Sequence, residues 1–89
     1  MKSIPNIKQQ LADLNLALAS LNAMNAIVQS VMMCGKQPVI RIARNSHCTK
    51  LIESGKATYN KFGCGDAGPY RQGVFEQHGC RIIWSESLH

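Results

Sequence analysis

Residues 73–84 read Gly-Val-Phe-Glu-Gln-His-Gly-Cys-Arg-Ile-Ile-Trp, and the reading of this stretch decides the fold class. If His78 and Gly79 form a two-residue turn, Gln77 lies opposite Cys80, Glu76 opposite Arg81, Phe75 opposite Ile82, Val74 opposite Ile83 and Gly73 opposite Trp84. Each pairing is chemically sensible. Glu76 and Arg81 are opposite charges directly across strands, a contact that contributes about 0.2–1 kcal/mol. Trp84 has a bare glycine to lie over. Phe75, Cys80, Ile82 and Trp84 then share one apolar face that must be covered by another layer.

Working upstream from that hairpin, Gly63 to Pro69 is expected to be a loop with three glycines, and Lys56 to Phe62 a strand. Before it, Ser46 offers a helix N-cap, Cys48, Leu51 and Ile52 share a face at helical spacing, and Gly55 closes the turn. Val39 to Arg44 alternates Ile40 and Ile42 against Val39, Arg41 and Ala43, the pattern of a strand covered on at least one face.

The first segment reads as one long helix from Asn6 to Met33, capped by Ser3 or Asn6 and stopped by Gly35 and Pro38. Ile7, Leu11, Leu14, Leu18, Leu21, Asn25, Val28 and Met32 follow at alternating steps of four and three, a heptad with a single Asn in an a position. Leu16, Ala23, Met24, Ile27 and Val31 form a second stripe beside it. Two apolar faces call for two partners, so one face is expected on the chain's own sheet and the other on a second copy, with Leu14, Leu18, Leu21, Asn25 and Val28 as the dimer contacts. The expected fold is therefore α+β: a single domain spanning 1–89, with a long N-terminal helix over 1–35 packed on a small antiparallel sheet of about four strands, which with one short helix occupies 36–89.

Composition narrows the function classes. A chain of 89 residues and 9.8 kDa buries only about 60–65% of its unfolded surface and leaves little room for a deep catalytic cavity. The net charge of +5 is unevenly placed: residues 1–35 hold only Lys2, Lys8 and Asp13, whereas residues 36–89 hold eight basic and four acidic side chains. Partner electrostatics belong to the second half. Asp13, Asn15, Ser20, Asn22, Asn25 and Gln29 interrupt every apolar run near the start, which argues against a secretory signal or a membrane span and for a cytoplasmic protein with reduced thiols.

The four cysteines, Cys34, Cys48, Cys64 and Cys80, and the histidines His47, His78 and His89 are the residues that could carry chemistry. Structural zinc sites use ligand pairs two to four residues apart, and here no two cysteines are closer than 14 residues. A site built from Cys48, Cys80, His47 and His78 would need tertiary convergence, so no metal and no cofactor are expected, with a zinc-stabilised module as one alternative. Cys64, between two glycines, is the one exposed nucleophile candidate, with Asp66 close in sequence and His47 or His78 as bases only through tertiary convergence, and nothing in the chain fixes that geometry. The loop and its neighbours suit binding better. Glycine amides beside Lys61, Tyr70, Arg71 and Arg81 form an aromatic and cationic patch, and these four are the expected partner contacts.

From Pro38 onward the chain resembles short accessory proteins of tailed phages and prophages. The matching pieces are Pro38-Val39-Ile40-Arg41-Ile42-Ala43, Cys48 with Leu51, Gly55-Lys56-Ala57-Thr58-Tyr59, Arg71-Gln72-Gly73-Val74-Phe75 and Cys80-Arg81-Ile82-Ile83-Trp84. The resemblance implies a noncatalytic protein, working in the cytoplasm of the bacterial host, that binds and inhibits a host protein such as a nuclease or another defence factor, including one that itself holds nucleic acid. A homodimer is expected, and no membrane contact. Direct binding of nucleic acid or a nucleotide through the same patch is the alternative.

Overall fold

A computed structural model of the chain describes residues 7–66 and 68–88. The element order is α1 (Ile7–Ala23), β1 (Val28–Cys34), β2 (Gln37–Ile42), α2 (Ser46–Glu53), β3 (Thr58–Gly65), β4 (Gly68–Gln77) and β5 (Cys80–Ser87). The fold is α+β, with five strands in one sheet ordered β1-β2-β5-β4-β3. The sheet is mixed, not wholly antiparallel: β2 and β5 run parallel, with Ile40 beside Ile82, and the other neighbours are antiparallel. The parallel pair follows from the crossover. The chain leaves β2 through α2, starts again at the far edge with β3, and folds back through β4 until β5 fills the gap next to β2.

The expected helix from Asn6 to Met33 stops at Ala23. Asn25 adopts a left-handed φ of 58°, the Ala26 N–H donates to the Leu21 carbonyl at 2.9 Å, and the Asn25 N–H donates to the Asn22 carbonyl at 3.0 Å. These two bonds make a Schellman cap with Asn25 in the position that glycine usually takes. The asparagine expected at an a position of a continuing helical heptad is instead the residue that ends the helix. Beyond it, Ile27, Val28 and Val31 are β-branched and favour a strand. The dimer face Leu14, Leu18, Leu21, Asn25 and Val28 is therefore not one helical surface: Leu21 is fully buried in the chain's own core, Leu14 and Leu18 pack against that core, Asn25 is in the turn and Val28 is in β1. The caps expected at Ser3 or Asn6 lie outside the described residues.

Other boundaries move for local reasons. Asn45, not Ser46, caps α2, its side-chain oxygen accepting from the N–H groups of His47 and Cys48. Gly55, at φ 80°, ends α2 as expected. The glycine-rich segment is mostly strand: β3 runs through Gly63 and Gly65 and β4 starts at Gly68, so the loop expected over 63–69 shrinks to its tip. Between β1 and β2, Gly35 at φ 66° opens a two-residue turn, with Cys34 paired to Gln37.

The β4–β5 hairpin has the expected register at every pair from Gly73–Trp84 to Gln77–Cys80. Both turn residues take positive φ, 51° at His78 and 76° at Gly79, which gives the ribbon the twist of its strands. Trp84 lies directly over Gly73, where a Cβ would stand 2.1 Å from its ring. Ala17 and Leu21 of α1, Cys48 of α2 and Ala57 close over Ile40, Ile42, Phe75, Cys80, Ile82 and Trp84. Each large apolar side chain buried there contributes about 1.5–3 kcal/mol. Among the described residues, both helices lie on this one face and the opposite face of the sheet carries no helix.

Candidate functional site

Alternation along the strands sorts the charged residues between the two faces of the sheet. On β5, Cys80, Ile82, Trp84 and Glu86 are buried and point toward the helices, while Arg81 and Ser85 are exposed on the other side. The registers place Arg71 opposite Glu86 on the helix side, and Tyr70, one residue earlier, on the uncovered side.

Glu86 is 8% exposed and organises the end of the core. Its Oε2 accepts from Trp84 Nε1 at 2.8 Å and from the Tyr59 hydroxyl at 2.9 Å; its Oε1 accepts from Arg71 Nε at 3.2 Å and Nη2 at 3.1 Å. Arg44 stands 3.5 Å from Oε2 and also donates to Thr49 at 2.9 Å. The Arg71 guanidinium lies 3.9 Å above the Tyr59 ring, and Trp84 meets Tyr59 edge-on. Burial alone would push the Glu86 carboxyl up, but the hydrogen bonds from Trp84, Tyr59 and Arg71 outweigh it and hold the group below the usual carboxylate range. Burial and the bond to Glu86 push the Tyr59 hydroxyl up. With its lone pairs filled by these donors, Glu86 fastens three strands to one another.

Of the four expected partner contacts, Arg71 is therefore committed to this buried carboxylate. The other three, Lys61, Tyr70 and Arg81, lie on the uncovered face. There the register aligns Ser30, Arg41, Ile83, Val74 and Thr58 in one row across all five strands, with Met32, Val39, Arg81 and Glu76 in the next. Val39, Ile83 and Val74 make a half-buried apolar centre. Around it stand Arg41, which donates to Ser85 Oγ at 3.2 Å, the exposed Lys61, and Arg81, 3.7 Å from Glu76. Tyr70 covers Gly63, where a Cβ would lie 2.7 Å from the phenol. Arg41 and Ile83 belong to this face and were not singled out as contacts from sequence; strand alternation from Ile40 and Ile82 was the signal for both.

The chemistry-bearing residues stay apart. Cys48 and Cys80 are buried core residues whose thiols burial pushes up, Cys64 is exposed on β3 opposite Pro69, and His78 Nε2 is 3.0 Å from Ser20 Oγ. Among the described residues no three His, Cys, Asp or Glu side chains are grouped so as to hold a metal ion. No helix among them is long and apolar enough to cross a membrane.

A family model described as "Uncharacterised protein" matches residues 2–87. The chain belongs to that family. No curated protein and no solved structure matches it.

Proposed function

We propose that this member of the family is a noncatalytic binding protein of the phage accessory type, which inhibits a host protein by covering part of its surface with the uncovered face of the sheet. The observation that carries this reading is the composition of that face: an apolar centre of Val39, Val74 and Ile83 within a rim of Arg41, Lys61, Arg81 and Tyr70. An apolar middle with a charged, partly solvated surround is the anatomy of a protein contact. Three cations against the single carboxylate of Glu76 favour an acidic partner surface. The cationic cleft of a nuclease would be repelled by the same rim, so the partner class this face favours is an acidic host protein.

Nucleic acid is the competing ligand for the same cations, and one experiment separates the two. Tagged wild type, Ile83→Glu and Arg41→Glu are used to capture partners from a bacterial host lysate with and without nuclease, and the same proteins are titrated with a generic duplex at rising salt. The expected result is a discrete protein that survives nuclease treatment and is lost with both variants, whose folding circular dichroism confirms. Capture that vanishes with nuclease, together with duplex affinity falling steeply with salt, would replace the proposal with phosphate binding. Capture unchanged in both variants would remove this face from the function.

A further inference from the structure

We propose that β1 is the pairing edge of a symmetric dimer, in which two copies join their sheets antiparallel through Val28–Cys34 into one ten-stranded sheet. The inference holds whatever the uncovered face binds. It begins with a mismatch between the sequence of β1 and its place in the fold. After Gln29 and Ser30, β1 ends in the run Val31-Met32-Met33-Cys34, apolar toward both faces as in an internal strand, yet β1 is at the edge of the sheet. Among the described residues α1 packs chiefly over β2 and β5, and the helix side of β1 stays partly exposed: Val31 is 39% exposed and Met33 44%, while Met32 on the other face is 58% exposed.

The two edges of the sheet are treated differently. β3, at the far edge, is interrupted by a bulge between Tyr59 and Lys61 and carries the Lys61 charge, devices that discourage pairing. β1 has its bulge near the start, between Val28 and Ser30, and from Ser30 to Cys34 it is regular. Nothing along β1 is charged. In a chain of net charge +5, that makes this edge a place where a second copy can approach without meeting its own sign.

The hydrogen-bonding geometry names the register. A two-residue turn makes Cys34 and Gln37 a bonded pair, so by alternation Met32 and Ser30 bond to β2, whereas Val31 and Met33 turn their N–H and C=O groups outward. Val31 is the middle residue of β1. A two-fold axis at Val31 pairs it with its own copy through two backbone bonds, sets Met32 opposite Ser30 of the second copy, and covers the exposed Val31 and Met33 side chains. Such an interface is isologous and closes at two subunits. Its axis is perpendicular to the sheet, so both uncovered faces end up side by side on the same surface.

The test is the mass of the full chain by light scattering over a concentration series. Wild type is expected at about twice 9.8 kDa at high concentration. Val31→Lys, which sets two lysines against each other on the axis, is expected to halve that mass, while Leu16→Lys on the exposed side of α1 and Thr58→Lys on the β3 edge leave it unchanged. Hydrogen exchange of wild type supplies a readout that needs no variant: the Val31 and Met33 amides should become more protected as concentration rises. A wild-type monomer at every concentration, a dimer that persists in Val31→Lys, a dimer dissolved by Leu16→Lys or Thr58→Lys, or Val31 and Met33 amides that exchange at a concentration-independent rate would each overturn the proposal.

Discussion

Replacing Glu86 by Gln keeps the size of the side chain and removes its charge, and the cost follows from the four bonds it accepts. The amide nitrogen must take the place of one carboxylate oxygen. In the Oε2 position it would face Trp84 Nε1, a donor that cannot reverse, in a fully buried ring. In the Oε1 position it would face the two Arg71 N–H groups, and Arg71, at 35% side-chain exposure, is able to turn toward water. The second arrangement is cheaper. It gives up the pairing with a partly solvated Arg71, worth up to about 1 kcal/mol. It also turns the bonds from Trp84 and Tyr59 from charge-assisted to neutral, losing about 1 kcal/mol for each. The expected loss at neutral pH is about 2–3 kcal/mol, a drop in Tm on the order of 10–20 °C for a chain of this size. The pH dependence has a definite sign. Because the folded carboxyl titrates below its unfolded value of about 4.3, its contribution is fully present above that value and fades as pH falls through the folded pKa. The gap between wild type and Glu86→Gln should thus be full at pH 7 and smaller at about pH 3. Urea unfolding followed by the fluorescence of Trp84, the single tryptophan, measures it at one fixed protein concentration. A variant within about 0.5 kcal/mol of wild type at pH 7, or a gap equal at both pH values, would refute the role assigned to Glu86.

Gly73→Ala places a Cβ 2.1 Å from Trp84 Cζ2, so the indole must leave both its seat and its bond to Glu86; a loss of about 3 kcal/mol is expected, and less than about 1 kcal/mol in the same urea assay would mean that Trp84 does not lie over Gly73. Asn25→Gly should be neutral or slightly stabilising, because glycine takes the left-handed cap without strain, whereas Asn25→Leu should cost about 1 kcal/mol; stabilisation by leucine would mean that the helix continues through position 25. Alkylation of the native protein followed by peptide mass mapping should mark Cys64 well before Cys48 and Cys80, since burial both hides the latter two and pushes their thiols up; early labelling of Cys48 or Cys80 would contradict their place in the core.

Where a side chain's role depends on near neighbours in the chain, the amino-acid sequence by itself was enough. The β4–β5 register, Trp84 over Gly73, Gly55 at the end of α2 and the α+β class all rest on turn chemistry and period-two or helical alternation within a dozen residues. The first segment was less decisive. Steps of three and four at Ile7, Leu11, Leu14, Leu18 and Leu21 continue in phase through Asn25, Val28 and Met32, and the heptad count weighs all eight alike. What breaks the helix is a single left-handed Asn25, and Asn tolerates that conformation without requiring it. Only the paired strand β2, which gives Val28–Cys34 backbone partners, tips the balance to a fifth strand.

The candidate site divides along the same line. That Lys61, Tyr70, Arg71 and Arg81 are basic or aromatic near a glycine-rich connection was plain from the chain, but which face each one occupies was not, because adjacent strand residues point in opposite directions and a one-residue change of register exchanges the faces. Tertiary structure alone sends Arg71 to Glu86, fifteen residues away, leaves Lys61, Tyr70 and Arg81 with Arg41 on the uncovered side, and puts β1 at an edge. Composition and local pattern thus determined which elements form and which charges they bring. The order of the strands decided which of those charges neutralise one another in the core and which remain exposed on the uncovered face, since that is set by contacts between residues far apart in the chain.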